Sequence, residues 1–341
     1  MNERERKLIF EKLDRFPRLT FGFYPTPLEE LKRLREKIGK HCPRIFIKRD
    51  DYTGFGFGGN KIRKLEYVFA RLAREGVEAV VTTGGERSNH ARATAAFCAR
   101  LGIECHLALD QKPRPRGAQD LKPAAIFLEE MFGARVYPAR SIEERNCLAD
   151  EISARLRGEG RKVARIPLGG ALPEAALGFV RAIGELKTQV ENLKIDFDRL
   201  VFSSSTGGTH AGMILGKRLF DFDNLTIVGV APEPEAAEVI SETGRLLRET
   251  SELLNFPSDS LDEEIEITGD YAGTGYCVET AEANRTLKLL AETEGVVLDP
   301  VYTAKAFAAL LDWIEKGRLT AENNVLFWHT GGQPTLFYCP D

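Results

Sequence analysis

A lysine placed for nucleophilic chemistry stands near the start of the 341-residue chain. In GFGFGGNKIRKLEY (residues 54–67), four glycines in six residues let the backbone approach another group closely. Asn60 stands where a helix N-cap belongs, and Ile62, Leu65, Val68, Phe69 and Leu72 continue as a helical stripe up to Gly76. Lys61 therefore falls in a first helical turn, against the positive end of the helix dipole. An ammonium is disfavoured there, and the neutral amine that remains is the form that makes a Schiff base. A solvated lysine after a flexible loop is the plainer reading of the same residues.

Three other junctions hold residues that are odd for plain structure. GGERSNHARATAAF (84–97) brings Ser88 and Asn89 to a helix start. Both are good N-caps, and free N–H groups at such a start can also hold a carboxylate. SSSTGGTHAG (203–212) makes a neutral cup rich in hydroxyls and N–H groups, suited to a phosphate bound by backbone donors and helix dipole. It matches neither the Walker A loop nor G-x-G-x-x-G, and a Gly-rich helix start competes with the phosphate reading. LDPVYTAK (298–305) and HTGGQPTLF (329–337) add hydroxyls and a Gly-Gly turn, although a tyrosine beside a threonine also suits simple packing.

The elements that must position these loops alternate. Short β-branched or apolar runs predict strands at 79–83, 103–109, 135–137, 163–166, 200–203, 225–230, 296–298 and 325–328. Helices are predicted at 90–101, 121–132 and 175–193, with another opened by a Ser141–Glu144 capping box and running to about 157. This rhythm predicts an α/β fold with parallel-rich sheets covered by helices and right-handed crossovers. Ligands in such sheets sit beyond the carboxyl ends of the strands. Residues 112–116 and 256–262 are predicted surface loops, and no repeat or clean linker interrupts the chain.

Composition bounds the function. Hydrophobic residues at 43% and charged residues at 29% are ordinary for a globular protein, long enough for two lobes. A net charge of −4, from 47 basic and 51 acidic side chains, gives no nucleic-acid footprint. No run approaches a membrane span, and MNERERKLIFEKLDRF lacks the apolar core of a secretory signal. Six scattered cysteines without a C-x-x-C pair suggest free thiols in a reducing cytoplasm, and with five scattered histidines no metal site is expected.

Taken in order, the four junctions resemble those of the D-cysteine desulfhydrase and 1-aminocyclopropane-1-carboxylate (ACC) deaminase family, pyridoxal-phosphate enzymes of the tryptophan-synthase-β fold type. The match runs from PTPLEEL (25–31) and FIKRDDYTG to HTGG, with GGNKIRKLEY, DPVYTAK and HTGGQP the most specific segments. The resemblance implies that Lys61 carries the cofactor and later moves the substrate α-proton, that Asn60 and Asn89 contact the cofactor, and that Ser88 faces the substrate carboxylate. It implies a phosphate cup of Thr206, Gly207, Gly208 and Thr209, and two tyrosines, Tyr276 and Tyr302, near the substrate. Thr303 and Thr330 fall where the deaminase pattern has glutamate and leucine, nearer the desulfhydrase pattern. A threonine beside the pyridine nitrogen holds its proton less firmly than a carboxylate would, which suits loss of a good leaving group such as thiolate.

The chain also departs from these relatives: Arg87 replaces glutamine, Cys277 replaces glycine, and GGALPEA (169–175) lacks the usual Gly-Gly-Ser run. Arg87 could pair with an anionic substrate tail, or face solvent or a neighbouring acid. The implied architecture is a large cofactor-binding lobe (1–62 and 171–341) with a small inserted lobe (63–170), in a cytoplasmic homodimer. The expected reaction is β-elimination from a small amino acid, D-cysteine first. ACC deamination, a lyase acting on L-cysteate or a D-serine-like substrate, and cofactor or metabolite binding without turnover are the competing expectations.

Overall fold

The computed structural model describes residues 1–112, 121–257 and 260–339. In chain order its elements are α1 (Glu3–Arg15), β1 (Leu28–Glu30), α2 (Lys32–Ile38), β2 (Arg44–Arg49), α3 (Asn60–Arg74), β3 (Ala79–Gly85), α4 (Asn89–Leu101), β4 (Glu104–Asp110), β5 (Lys122–Pro123), α5 (Ala124–Met131), β6 (Arg135–Ala139) and α6 (Ile142–Gly158). There follow β7 (Val163–Ile166), α7 (Pro173–Leu193), β8 (Arg199–Ser203), α8 (Gly208–Leu219), β9 (Thr226–Val230), α9 (Ala236–Leu254), β10 (Glu266–Thr268), α10 (Ala281–Glu294), α11 (Thr303–Glu315), β11 (Asn324–His329) and β12 (Tyr338–Cys339).

Six strands form one sheet in the order β1-β2-β11-β8-β9-β10, parallel except for β1. A second sheet, β6-β4-β3-β7, is parallel throughout and draws all its strands from residues 79–166. The two-residue strands β5 and β12 pair antiparallel, tying residues near the end of the chain to the start of α5. Strands buried on both faces read as continuous apolar or small runs: β3 is buried at all seven positions.

Helices α3, α7 and α8 approach one another through glycine. A Cβ at Gly178 of α7 would lie 2.2 Å from the Arg63 carbonyl oxygen of α3, and one at Gly212 of α8 would lie 2.2 Å from the Ala176 carbonyl oxygen of α7. Beside these contacts lies a buried charge network. Arg63 donates to both carboxylate oxygens of Asp50 at 2.9 and 2.8 Å and to both of Glu185 at 2.9 and 3.0 Å. Lys48 pairs with Glu185 and donates to the Thr26 carbonyl and to Gln189.

Several expectations are corrected. Residues 296–298 form no strand; Val296 and Leu298 are buried and Val297 is exposed, but the Val297 carbonyl accepts from His329 Nε2 at 3.1 Å instead of joining a ladder. The N-cap of α3 is Gly59, not Asn60. The helix expected from 121 begins at Ala124, after β5. Ser141 caps α6 by accepting from the Glu144 N–H, while the Glu144 carboxylate reaches one residue further back, to the Arg140 N–H at 2.7 Å. Strands β1, β2 and β10 were not foreseen, and the loop expected over 256–262 runs into a short 3-10 helix, Leu261–Glu264. Most of the loop expected over 112–116, like residues 258 and 259, lies outside the described residues.

Candidate active site

A cavity of about 310 Å³ opens beyond the carboxyl ends of the strands, where loops from both sheets meet. Of the candidate residues, Asn60, Lys61, Ser88, Asn89, Thr206, Gly207, Thr209, Tyr276, Tyr302 and Thr330 line it.

Lys61 is the second residue of α3. The start of that helix is stitched to the loop after β11 and to α8: the Asn60 N–H donates to the Thr330 carbonyl at 2.9 Å, and Asn60 Nδ2 donates to Thr209 Oγ1 at 3.1 Å. Lys61 keeps some access through the cavity, yet burial draws its ammonium down to about 8. The direction is the one the helix start suggests, but the cause is loss of solvent. Three residues on, Lys64 is fully buried and donates to the Gly169 carbonyl at 2.6 Å. Burial, and then the charge of Lys61, push it well below the lysine range.

The cup that follows β8 fits a phosphate. Helix α8 opens on Gly207 at φ 72° with no side-chain cap; the Gly208 N–H donates to the Thr206 carbonyl at 2.8 Å, and the Thr209 and His210 amides remain available as donors. Ser203 Oγ and Ser204 Oγ, in the same wall, are buried without a hydrogen-bond partner among the described residues. A Cβ at Gly208 would lie 3.1 Å from Lys64 Nζ, so Gly208 backs the cup against a lysine instead of facing the cavity. The unusual 169–175 stretch packs here too, since a Cβ at Gly169 would meet Thr206 Oγ1 at 2.5 Å. Neutral hydroxyls and helix-start amides form a donor set for the phosphate of pyridoxal phosphate, with Lys61 in the same cavity for its aldehyde.

Around this centre, Ser88 caps α4 by accepting from the Ala91 N–H at 3.2 Å, which leaves its hydroxyl proton available. The Asn89 side-chain oxygen accepts from Arg92 at 3.3 Å. The hydroxyls of Tyr276 and Tyr302 touch, and burial first, with neighbouring groups, holds both well above the usual tyrosine range. Thr303 stands outside the wall. Its hydroxyl donates to Asp299 Oδ1 at 2.7 Å and accepts from the Asp299 N–H at 2.8 Å, whereas Thr330 faces the cavity. Arg87 faces neither solvent nor the cavity; it is buried and donates to the Cys277 carbonyl at 2.9 Å.

Other lining residues escaped the motifs. His90 Nε2 lies 3.0 Å from Thr82 Oγ1, whose own proton goes to the Ile166 carbonyl. The ring therefore donates from Nε2 and keeps Nδ1 as a bare acceptor; burial, then Lys61 and Lys64, hold it well below the ordinary histidine value. Lys112 and Arg145 both pair with Asp110, across from Glu233 and Glu238. They come from separate loops and helices and share no local spacing. His90 lies directly after Asn89 in the stretch 84–97, and Lys64, outside the wall, stands an i,i+3 step from Lys61.

A family model described as pyridoxal-phosphate dependent enzyme matches residues 19–331. A D-cysteine desulfhydrase of Klebsiella pneumoniae is 36% identical over 330 residues, 97% of this chain and 98% of that protein. Another from strain 342 is 37% identical over 331 residues, with the same coverage. A solved structure described as an ACC deaminase homologue is 35% identical, with a TM-score of 0.85 over 99% of this chain and 97% of that one. A fungal L-serine ammonia-lyase from Rhizomucor miehei, 16% identical with a TM-score of 0.65 over 93% and 94% of the two chains, shares the fold. The family match over residues 19–331, around a cavity that brings a lysine together with a hydroxyl-rich cup, places this chain in the pyridoxal-phosphate dependent enzyme family.

Proposed function

We propose that the chain is a β-eliminating carbon–sulfur lyase that converts D-cysteine and water to pyruvate, hydrogen sulfide and ammonia. One observation carries the reading: Lys61, the hydroxyl-rich cup and an uncharged Thr330 wall share one cavity, in a chain 36% identical over its length to a D-cysteine desulfhydrase. Pyridoxal phosphate, when bound, supplies an aldehyde for the substrate amine and an electron-withdrawing ring that stabilises negative charge at the α-carbon.

The chain's own residues do the rest. Lys61, whose ammonium burial makes easier to deprotonate, takes the proton from the substrate α-carbon as general base once neutral. Ser88 and the first-turn amides of α4 hold the substrate carboxylate. Thr206, Gly207 and Thr209, with the Ser203 and Ser204 hydroxyls, hold the phosphate, Asn60 and Asn89 fix the ring from the starts of α3 and α4, and Tyr276 and Tyr302 offer neutral hydroxyls on the substrate side. Thr330 puts a hydroxyl in the wall where the deaminase pattern has leucine, as in the desulfhydrase pattern.

The proposal divides the chain into a lobe of residues 63–170 around the four-stranded sheet and a lobe built from the remainder. It also makes the protein a cytoplasmic homodimer. Six free cysteines, four of them buried, support a reducing compartment. Among the described residues no helix is long and apolar enough to cross a membrane.

ACC deamination to 2-oxobutyrate is the second reading, favoured by the 35% identical ACC deaminase homologue. Purified protein loaded with pyridoxal phosphate and given D-cysteine should release sulfide and pyruvate in equal amounts, and borohydride should fix the cofactor to the peptide holding Lys61. Pyruvate from L-cysteate or D-serine in preference to D-cysteine would move the substrate. 2-Oxobutyrate from ACC without sulfide from D-cysteine would replace the reaction, and cofactor binding with no product from any of these would leave a binding protein.

A further inference from the structure

Tyr276 reaches the cavity from the loop between β10 and α10, and the backbone beside it is under constraint. The next residue, Cys277, lies at φ 62°, a left-handed conformation that a residue with a Cβ holds only where its surroundings impose it. The Cys277 carbonyl accepts from Arg87 Nη2 at 2.9 Å, and the two residues are 1% and 3% exposed. On the other side of the tyrosine, Lys305 of α11 donates to the carbonyls of Ala272 at 2.6 Å and Gly275 at 3.3 Å, and to Pro232 at 3.2 Å. Lys305 is 1% exposed. Carbonyls on both flanks of Tyr276 are thus held by buried cations that stand outside the cavity wall.

Arg87 has a second geometric link to the tyrosine. It lies directly before Ser88 and two residues after Gly85, and a Cβ on that glycine would sit 3.2 Å from Tyr276 Cε1. The loop that carries Ser88 therefore meets the tyrosine twice, through ring contact at Gly85 and through the guanidinium bond to its neighbour's carbonyl. An arginine suits such a crossing, since its planar head stays charged when buried and presents donors in fixed directions.

We propose that Arg87 is a positioning residue: its bond to the Cys277 carbonyl sets Tyr276 against Tyr302 and couples that tyrosine to the Ser88 loop, with Lys305 bracing the opposite flank. The inference deepens the lyase reading, on which the role of Tyr276 rests. Its effect belongs on turnover more than on substrate capture, because the guanidinium stands outside the cavity wall while the group it steadies lines it.

The test combines kinetics with hydrogen exchange on the cofactor-loaded protein. Arg87→Ala should lower kcat for D-cysteine at least tenfold with KM changed less than threefold. Combined with Tyr276→Phe it should be no slower than Tyr276→Phe by itself, and added guanidinium or the variant Arg87→Lys should recover part of the rate. Amide exchange over residues 272–277 should quicken selectively in Arg87→Ala. Additive losses in the double variant, or unchanged exchange in that segment, would overturn the inference. Were the unaltered protein to release no sulfide, the lyase reading would fall while the exchange result still decided whether Arg87 holds the loop.

Discussion

At the scale of single residues, the chemistry depends on an amine whose proton burial loosens. Lys61 titrates at about 8, so its reactive neutral form grows as pH rises through that value. Capture of pyridoxal phosphate by cofactor-free protein, followed by its visible absorbance, should speed up from pH 7 to 9 and then level off. A flat rate over that range would show an amine in its ordinary state. Lys61→Ala should remove the borohydride-stable adduct and lower sulfide release by roughly a thousandfold or more, in line with loss of a general base and covalent anchor together. The glycine run and helix phase made this lysine legible from sequence, and the cup residues were legible for the same reason, being local. Arg87 was not, because the carbonyl it meets lies 190 residues away. Thr303 was misplaced because its neighbour Asp299 takes both the donor and the acceptor of its hydroxyl. A glutamate at 303 would therefore stand beside Asp299 and disturb packing before it tuned any ring.

At the scale of elements, glycines decide where helices begin. Gly207 sits at φ 72°, and a Cβ there would meet the Thr243 backbone nitrogen of α9 at 2.7 Å. Gly207→Ala should therefore cost about 1–3 kcal/mol of stability by strain. Because the strain falls on the cup itself, pyridoxal phosphate should bind at least tenfold more weakly in an equilibrium titration, while a melt of the cofactor-free protein shows the stability loss. Strand positions were legible wherever an apolar run also had a neighbour to pair with, as in β3, β8 and β11. Residues 296–298 have the apolar pattern without a ladder, and side-chain burial alone cannot distinguish the two cases. Strand β2 hid for the opposite reason. Lys48 and Arg49 interrupt its apolar run, and they are tolerated inside because Glu185 and Asp51 lie against them.

At the scale of the whole molecule, that buried network joins the N-terminal segment to α3 and α7. Burial pushes the Glu185 carboxyl up, but Arg63 and Lys48 outweigh it and bring it down from 4.5 to about 2. A carboxyl lowered on folding stabilises the protein above its unfolded value, and that contribution, about 3 kcal/mol, is lost as pH falls from about 4.5 through about 2. Glu185→Gln should lower the unfolding free energy at pH 7 by about 3 kcal/mol, since it also leaves two buried cations short of a partner. Denaturant titrations should show the gap to the unaltered protein closing on acidification; a gap independent of pH would assign the loss to packing. The same α7 sets a dimension of the site. Through Gly178 it rests on the backbone of the helix that begins beside Lys61, and through its own Ala176 carbonyl it receives Gly212 of the helix that opens at the cup. Main chain gauges the span from nitrogen to phosphate pocket, so neighbouring side chains can drift while the separation holds, and a vitamer with a longer or shorter arm would be refused by the scaffold itself.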